Sequence, residues 1–177
     1  IILIAILVTV GGITRLTNSG LSIVNWKPIM GILPPLSTES WEISFQMYKE
    51  SPEFDNYHSY FTLENYKKIF FWEYLHRMLG RLVGVLFLVP LLIFKLNNYF
   101  TKSQYRNLLN IFFLICLQGL IGWIMVKSGL VGKGDVSPYK LALHFSLAIY
   151  IIGYIYWMKL KIKFNTDENN SNAYTRL

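Results

Sequence analysis

The chain has 177 residues, of which 53% are hydrophobic, 16% aromatic and only 15% charged. Charge that sparse and that segregated excludes an ordinary soluble surface. The formal net charge of +7 gathers in no basic cluster with stacking aromatics, which excludes a nucleic-acid footprint and reads as the positive-inside bias of a membrane protein.

The sequence opens on an apolar run, Ile1 to Val10, with no initiator Met and without the basic segment and cleavage site of a signal peptide. A spanning helix needs ~20 apolar residues. The first of four expected spans, about residues 1–12, therefore reads as a helix lacking its start. A polar and aromatic segment follows from Ile13 to Lys68, broken by Pro28, Pro34, Pro35 and Pro52. Within it Thr38 is expected to cap a short helix over Glu39 to Glu50, with Trp41, Phe45 and Tyr48 on one side. Such a helix packs on the protein or lies on the membrane surface. His58, in the same polar loop, reads as solvated, and Thr62 is expected to cap the entry to the second span.

The second span covers about residues 69–94, the third 108–126 and the fourth 141–158. Cys116, the single cysteine, lies in the third and reads as a buried, inert thiol. Asn165 to Leu177 form a polar tail or linker. Lys95, Lys102 and Arg106 flank the turn between spans two and three, and Lys159, Lys161 and Lys163 follow span four. By the positive-inside rule these clusters face the cytoplasm or matrix, which leaves residues 13–68 extracytoplasmic. Lys127, Lys133 and Lys140 on the opposite loop make that bias modest.

Chemistry concentrates at the mouth of span two. Glu73, His76, Arg77, Gly80 and Gly84 share one helical stripe, with Arg81 at its edge. Ionisable groups at such a depth are costly and mark a functional site by default. Glycine weakens a helix, so Gly80 and Gly84 suggest close approach by another helix or by a flat ligand. His76 lies ~27 Å and His144 ~21 Å above the inner ends of their spans. Both imidazoles therefore belong to the outer third of the bilayer and can face one another, as axial ligands of one haem or as one ligand and one substrate contact. Two hydrogen-bonded core histidines are the alternative. Arg77 and Arg81 can pair with haem propionates, with Glu73, or with headgroups. Glu73 can orient substrate or shuttle a proton. In span three Gln118, Gly119 and Gly122 offer one hydrogen-bonding side chain and two small contacts, which suit either a macrocycle or helix packing.

Six blocks in order carry a family resemblance: Gly11-Gly-Ile-Thr-Arg-Leu-Thr-Asn-Ser-Gly20, Trp26-Lys-Pro, Pro34-Pro, Glu73-Tyr-Leu-His-Arg-Met-Leu-Gly-Arg-Leu-Val-Gly84, Gln118-Gly-Leu-Ile-Gly-Trp-Ile-Met-Val-Lys-Ser-Gly-Leu130 and Leu143-His144. Together they resemble haem A synthase of the mitochondrial and alphaproteobacterial type, from the first residue to about Met158. The resemblance implies an all-α membrane bundle, one four-helix half (residues 1–158) of an eight-helix pseudo-symmetric enzyme. It also implies oxidation of a methyl group of haem O to a formyl group by successive hydroxylations, giving haem A for cytochrome c oxidase. In that family the half resembled here holds the substrate haem between histidines matching His76 and His144. The acid matching Glu73 is taken to take part in the reaction, and beside such a haem Arg77, Arg81 and Gln118 are candidate contacts by their position on the helices. Haem B belongs to the other half. The implied partners are haem O, the lipid bilayer, a haem O synthase and an electron donor such as ferredoxin, with a homo-oligomer allowed and nucleic acid excluded. Some members carry a cysteine pair in the first outer loop, where this chain has none. Two rivals stand beside this reading. One is a non-enzymatic b-type cytochrome subunit with a bis-histidine haem. The other is an assembly factor whose histidines are merely satisfied core residues.

Overall fold

The structure, a computed structural model, describes residues 1–25 and 32–174, with side chains described as far as Phe164. The Trp26-Lys-Pro block lies outside the described residues. Among the described residues the α-helices are, in order, α1 (Ile2–Leu16), α2 (Thr38–Lys49), α3 (Leu63–Leu96), α4 (Lys102–Val131) and α5 (Pro138–Tyr174), with a π-helical turn at Phe54–His58. α3, α4 and residues Pro138–Phe164 of α5 are long and apolar enough to cross a membrane, and α1 is a shorter apolar helix. α1 packs chiefly on α3 and α4 chiefly on α5, while α3–α4 and α1–α5 contacts close the ring. The expected all-α membrane bundle is therefore present.

Local chemistry explains the boundaries. Thr62 caps α3 by accepting from the Asn65 amide, as the sequence predicts. Thr101 and Gln104 form a reciprocal capping box on α4. The cap of α2 is Ser37, not Thr38. Ser37 takes the extended conformation and exchanges hydrogen bonds with Ser40, so Thr38 becomes the first helical residue. Asn98 adopts a positive φ of 55° where the chain turns from α3 towards α4. Pro90 lies inside α3, where neighbouring helices and local adjustment make a membrane proline tolerable.

The densest packing lies above the bundle. α3 is 34 residues long, ~51 Å at 1.5 Å per residue, against a hydrocarbon core of ~30 Å. Its first turns therefore rise into an outer cap built with α2. Phe45, Tyr48, Tyr66, Ile69 and Phe70 are buried together there, with Trp41 packed against them. Tyr66 stacks on Phe45 at 5.2 Å and on Tyr48 at 5.1 Å, and Trp41 meets Phe70 edge-on at 4.9 Å. The apolar side expected for α2 thus packs on the protein itself.

Three further expectations are corrected. His58 is buried, not solvated. Its Nδ1 lies 2.5 Å from the Tyr48 hydroxyl and its ring stacks on Phe61 at 3.9 Å. Cys116 is exposed on the surface of α4, not buried in a protein core. At Gly80 and Gly84 an added β-carbon meets nothing within 4 Å, so no helix approaches closely there.

Candidate functional site

The functional stripe of α3 begins directly beneath the aromatic cap. Glu73 is 2% exposed. Its Oε2 accepts from the Ser22 hydroxyl at 2.7 Å and from the Ile23 amide at 2.8 Å, and its Oε1 pairs with Arg77 one turn on. The Arg77 guanidinium also donates to the Ile23 carbonyl at 3.4 Å. One acid and one base thus clasp both polar groups of a single peptide residue in the segment after α1. Tyr66 extends the clasp, donating to the Ser22 carbonyl at 3.3 Å and meeting the Ser44 hydroxyl at 2.7 Å.

His76 follows one turn below Glu73. A β-carbon on Gly11 of α1 would stand 2.8 Å from its Cε1, so the Cε1 edge of the ring is seated against the α1 backbone. His144 on α5 is seated in the same way on Gly122 of α4, again with Cε1 at 2.8 Å. Gln118 joins the second imidazole. Its Nε2 lies 3.2 Å from His144 Nε2 and donates to the His144 carbonyl at 2.9 Å. Nδ1 of His76, Nδ1 of His144 and Oε1 of Gln118 are buried without a hydrogen-bond partner. Buried polar atoms are normally satisfied, so three orphans around one pair of imidazoles single this place out as the candidate site.

The predicted residues thus separate into two groups. His76, His144 and Gln118 face the bundle interior, with open space beyond His76 at Gly80 and Gly84. Glu73 and Arg77 form the clasp above them. Arg81 lies deeper and donates to the Met78 sulfur at 3.6 Å. Ser22 and Tyr66 were not foreseen. Ser22 lies in a segment without helical period, and its partner is 51 residues away.

A second polar cluster occupies the outer cap. Tyr48 donates to Glu53 Oε2 at 3.0 Å and meets His58, and all three side chains are buried. Burial pushes the Glu53 carboxyl up to about 8 and the Tyr48 hydroxyl upwards, and it lowers the His58 imidazole. The cap is fastened to the loop between α4 and α5. Asn56 donates to the Lys133 carbonyl at 2.7 Å and Tyr57 to Asp135 at 2.6 Å. Gly134, at φ +77°, permits this contact, since a β-carbon there would fall 2.6 Å from the Glu53 amide nitrogen.

This arrangement can now be set beside known proteins. The COX15-CtaA family model, described as cytochrome oxidase assembly protein, matches residues 1–177. The chain belongs to that family. It is 51% identical over 162 residues to a heme A synthase of Pelagibacter ubique, a match covering 90% of this chain and 48% of the relative. It is 47% identical over 161 residues to one from Bradyrhizobium sp. (91% and 44%), and 44% identical over 156 residues to one from Nitrosomonas eutropha (88% and 44%). The chain spans about half the length of these curated relatives. No solved structure matches it. In this COX15-CtaA member, four separate sequence blocks converge on one end of the bundle. They are the Gly11–Gly20 block of α1 and its following turn, the Glu73–Gly84 stripe, the Gln118–Leu130 block and His144.

Proposed function

We propose that this chain is the substrate-haem half of a haem A synthase, with residues 1–158 as the haem-binding four-helix unit and 159–177 as its tail. The observation carrying this reading is the pair of inward imidazoles, His76 and His144, each with an orphaned ring nitrogen. Two imidazoles supply two ligands, and among the described residues no group of three or more His, Cys, Asp or Glu gathers to hold a bare metal ion. A metal held here takes its remaining ligands from its own macrocycle, as in haem. Open space at Gly80 and Gly84, one and two turns below His76, gives room for a flat ring. The relatives named heme A synthase add the chemistry, since in this reading the substrate is haem O and one of its methyl groups is oxidised to a formyl group by successive hydroxylations.

The chain's own residues divide the work. His76 and His144 are the residues that would hold the haem iron. Gln118 fixes the His144 ring through one amide and offers its unpaired Oε1 to a hydroxyl of the substrate. Glu73 and Arg77 close the outer segment over the site and exclude water, and the Glu73 carboxylate would be the group that accepts a proton beside the reacting methyl. Arg81 serves a propionate. In this reading residues 13–68 face the periplasm or intermembrane space, in a bacterial cytoplasmic or mitochondrial inner membrane. Haem B, a haem O synthase, an electron donor such as ferredoxin and self-association belong to the whole protein. The b-type cytochrome rival is not favoured, because the curated relatives bear the synthase name.

Chromatography of pigments extracted from the purified full-length protein tests the proposal. Haem O or haem A bound to it supports a synthase. Haem B alone, lost with neither His76→Ala nor His144→Ala, contradicts the assignment of this half.

A further inference from the structure

The two histidine seats are copies of one another. A β-carbon on Gly11 would lie 2.8, 3.3 and 3.6 Å from Cε1, Nδ1 and Nε2 of His76, and one on Gly122 would lie at the same three distances from the same three atoms of His144. Gly11 is on α1 and His76 on α3, whereas Gly122 is on α4 and His144 on α5. These are the two principal helix pairs of the ring. A Ser-Gly-Leu triplet follows each seat at a different spacing, Ser19-Gly-Leu21 eight residues after Gly11 and Ser128-Gly-Leu130 six after Gly122. The two copies also touch, with the Leu21 methyl groups 2.9 and 3.0 Å from a β-carbon built on Gly129. The four-helix unit is thus a tandem of two Gly–His helix pairs.

From this geometry we infer that Gly11 and Gly122 are positioning residues which set the orientation of the two imidazoles towards a shared flat ligand. Contact below 3.0 Å is closer than real β-carbons approach, and the atom met is a rigid ring on a side chain with only two torsions. An alanine at either position must therefore turn or displace the ring. In each ring the orphaned Nδ1 lies 3.3 Å from the built β-carbon, so turning the ring moves that nitrogen directly. This differs from ordinary packing of small residues between helices. Gly12 and Gly153, also in membrane helices, have nothing within 4 Å of a β-carbon and serve as matched controls.

The inference rests on the haem reading above, and its test separates the two. Haemin is titrated into the full-length protein in detergent, and affinity and Soret band are recorded for the wild type and for Gly11→Ala, Gly122→Ala, Gly12→Ala and Gly153→Ala. A supporting partner of a metal ligand is worth ~10–100-fold in affinity, so Gly11→Ala and Gly122→Ala are expected to weaken haemin about tenfold and shift the band. The controls stay within about twofold. A second arm uses no ligand: a thermal-stability cycle of Gly11→Ala with His76→Ala. The clash predicts that Gly11→Ala destabilises the wild type and is nearly neutral once the imidazole is gone. If Gly11→Ala fails to accumulate, recovery in the His76→Ala background supports the inference and persistent failure overturns it. Gly11→Ala and Gly122→Ala that match their controls in both arms overturn it as well. If neither histidine variant changes haemin binding while the cycle still shows coupling, the haem reading falls and the ring-positioning role stands.

Discussion

The carboxylate of Glu73, one turn above His76, is bound by the Ser22 hydroxyl at 2.7 Å, across 51 residues of sequence. That bond ties the segment leaving α1 to the helix carrying the first imidazole. With the Ile23 amide on the same oxygen and Arg77 on the other, the carboxylate is fully engaged. Glu73 thus organises the roof of the candidate site.

The clasp predicts an unequal response to its two halves. Arg77→Ala leaves a buried carboxylate without its cation, a loss of ~3–5 kcal/mol for a buried pair broken on one side. Glu73→Gln keeps an acceptor for Ser22 and Ile23 and removes the charge, so it is expected to cost less. Thermal unfolding in detergent should rank wild type above Glu73→Gln and Glu73→Gln above Arg77→Ala. The reverse order would mean that Arg77 is not the partner that neutralises Glu73.

Chemistry should separate from folding at the same residue. In the full-length protein Glu73→Gln is expected to retain haem, because His76 and His144 are untouched, yet to stall oxidation, with haem O or an alcohol intermediate accumulating. Chromatography of haems extracted from cells carrying the variant reads this directly. Normal haem A levels would reduce Glu73 to a structural clasp.

The outer cap should respond to pH through Glu53. Its carboxyl is raised from an ordinary 4.5 to about 8 by burial. The folded cap therefore holds a proton that the unfolded chain has released, and stability falls as pH rises from about 4.5 to about 8. His58 works the other way. Burial lowers it, so its contribution is lost as pH falls below its ordinary value of 6.5. Between pH 6.5 and 8 only the Glu53 effect remains. Hydrogen exchange over residues 45–58 should therefore speed up from pH 6.5 to 8 beyond the intrinsic base-catalysed rate, and Glu53→Gln should abolish that excess. An excess that survives Glu53→Gln would assign the slope to another group.

Much of this was legible in the sequence, and the misses share a cause. Hydropathy and capping located the spans, because both are local. The helical period places Glu73 and Arg77 on one stripe, where they pair one turn apart. His58 was misread because a polar, aromatic loop looks solvated until the loop is known to build its own core around Tyr48 and Tyr66. Cys116 was misread because an apolar run has the same sequence signature whether lipid or protein covers it. Gly80 and Gly84 invited a helix contact, yet the glycines in close contact with the histidines are Gly11 and Gly122, whose partners are 65 and 22 residues away. Ser22 carried no periodic signal, since its role depends on a long-range hydrogen bond alone.

Axial ligation is the most direct test of the central claim that His76 and His144 address one haem. The full-length protein, loaded with haem in detergent, should show a low-spin, six-coordinate signal assigned to this half by resonance Raman spectroscopy. His76→Ala and His144→Ala should each abolish that signal while leaving the fold intact by circular dichroism. Haem content and axial-ligand bands unchanged in both variants would contradict the account.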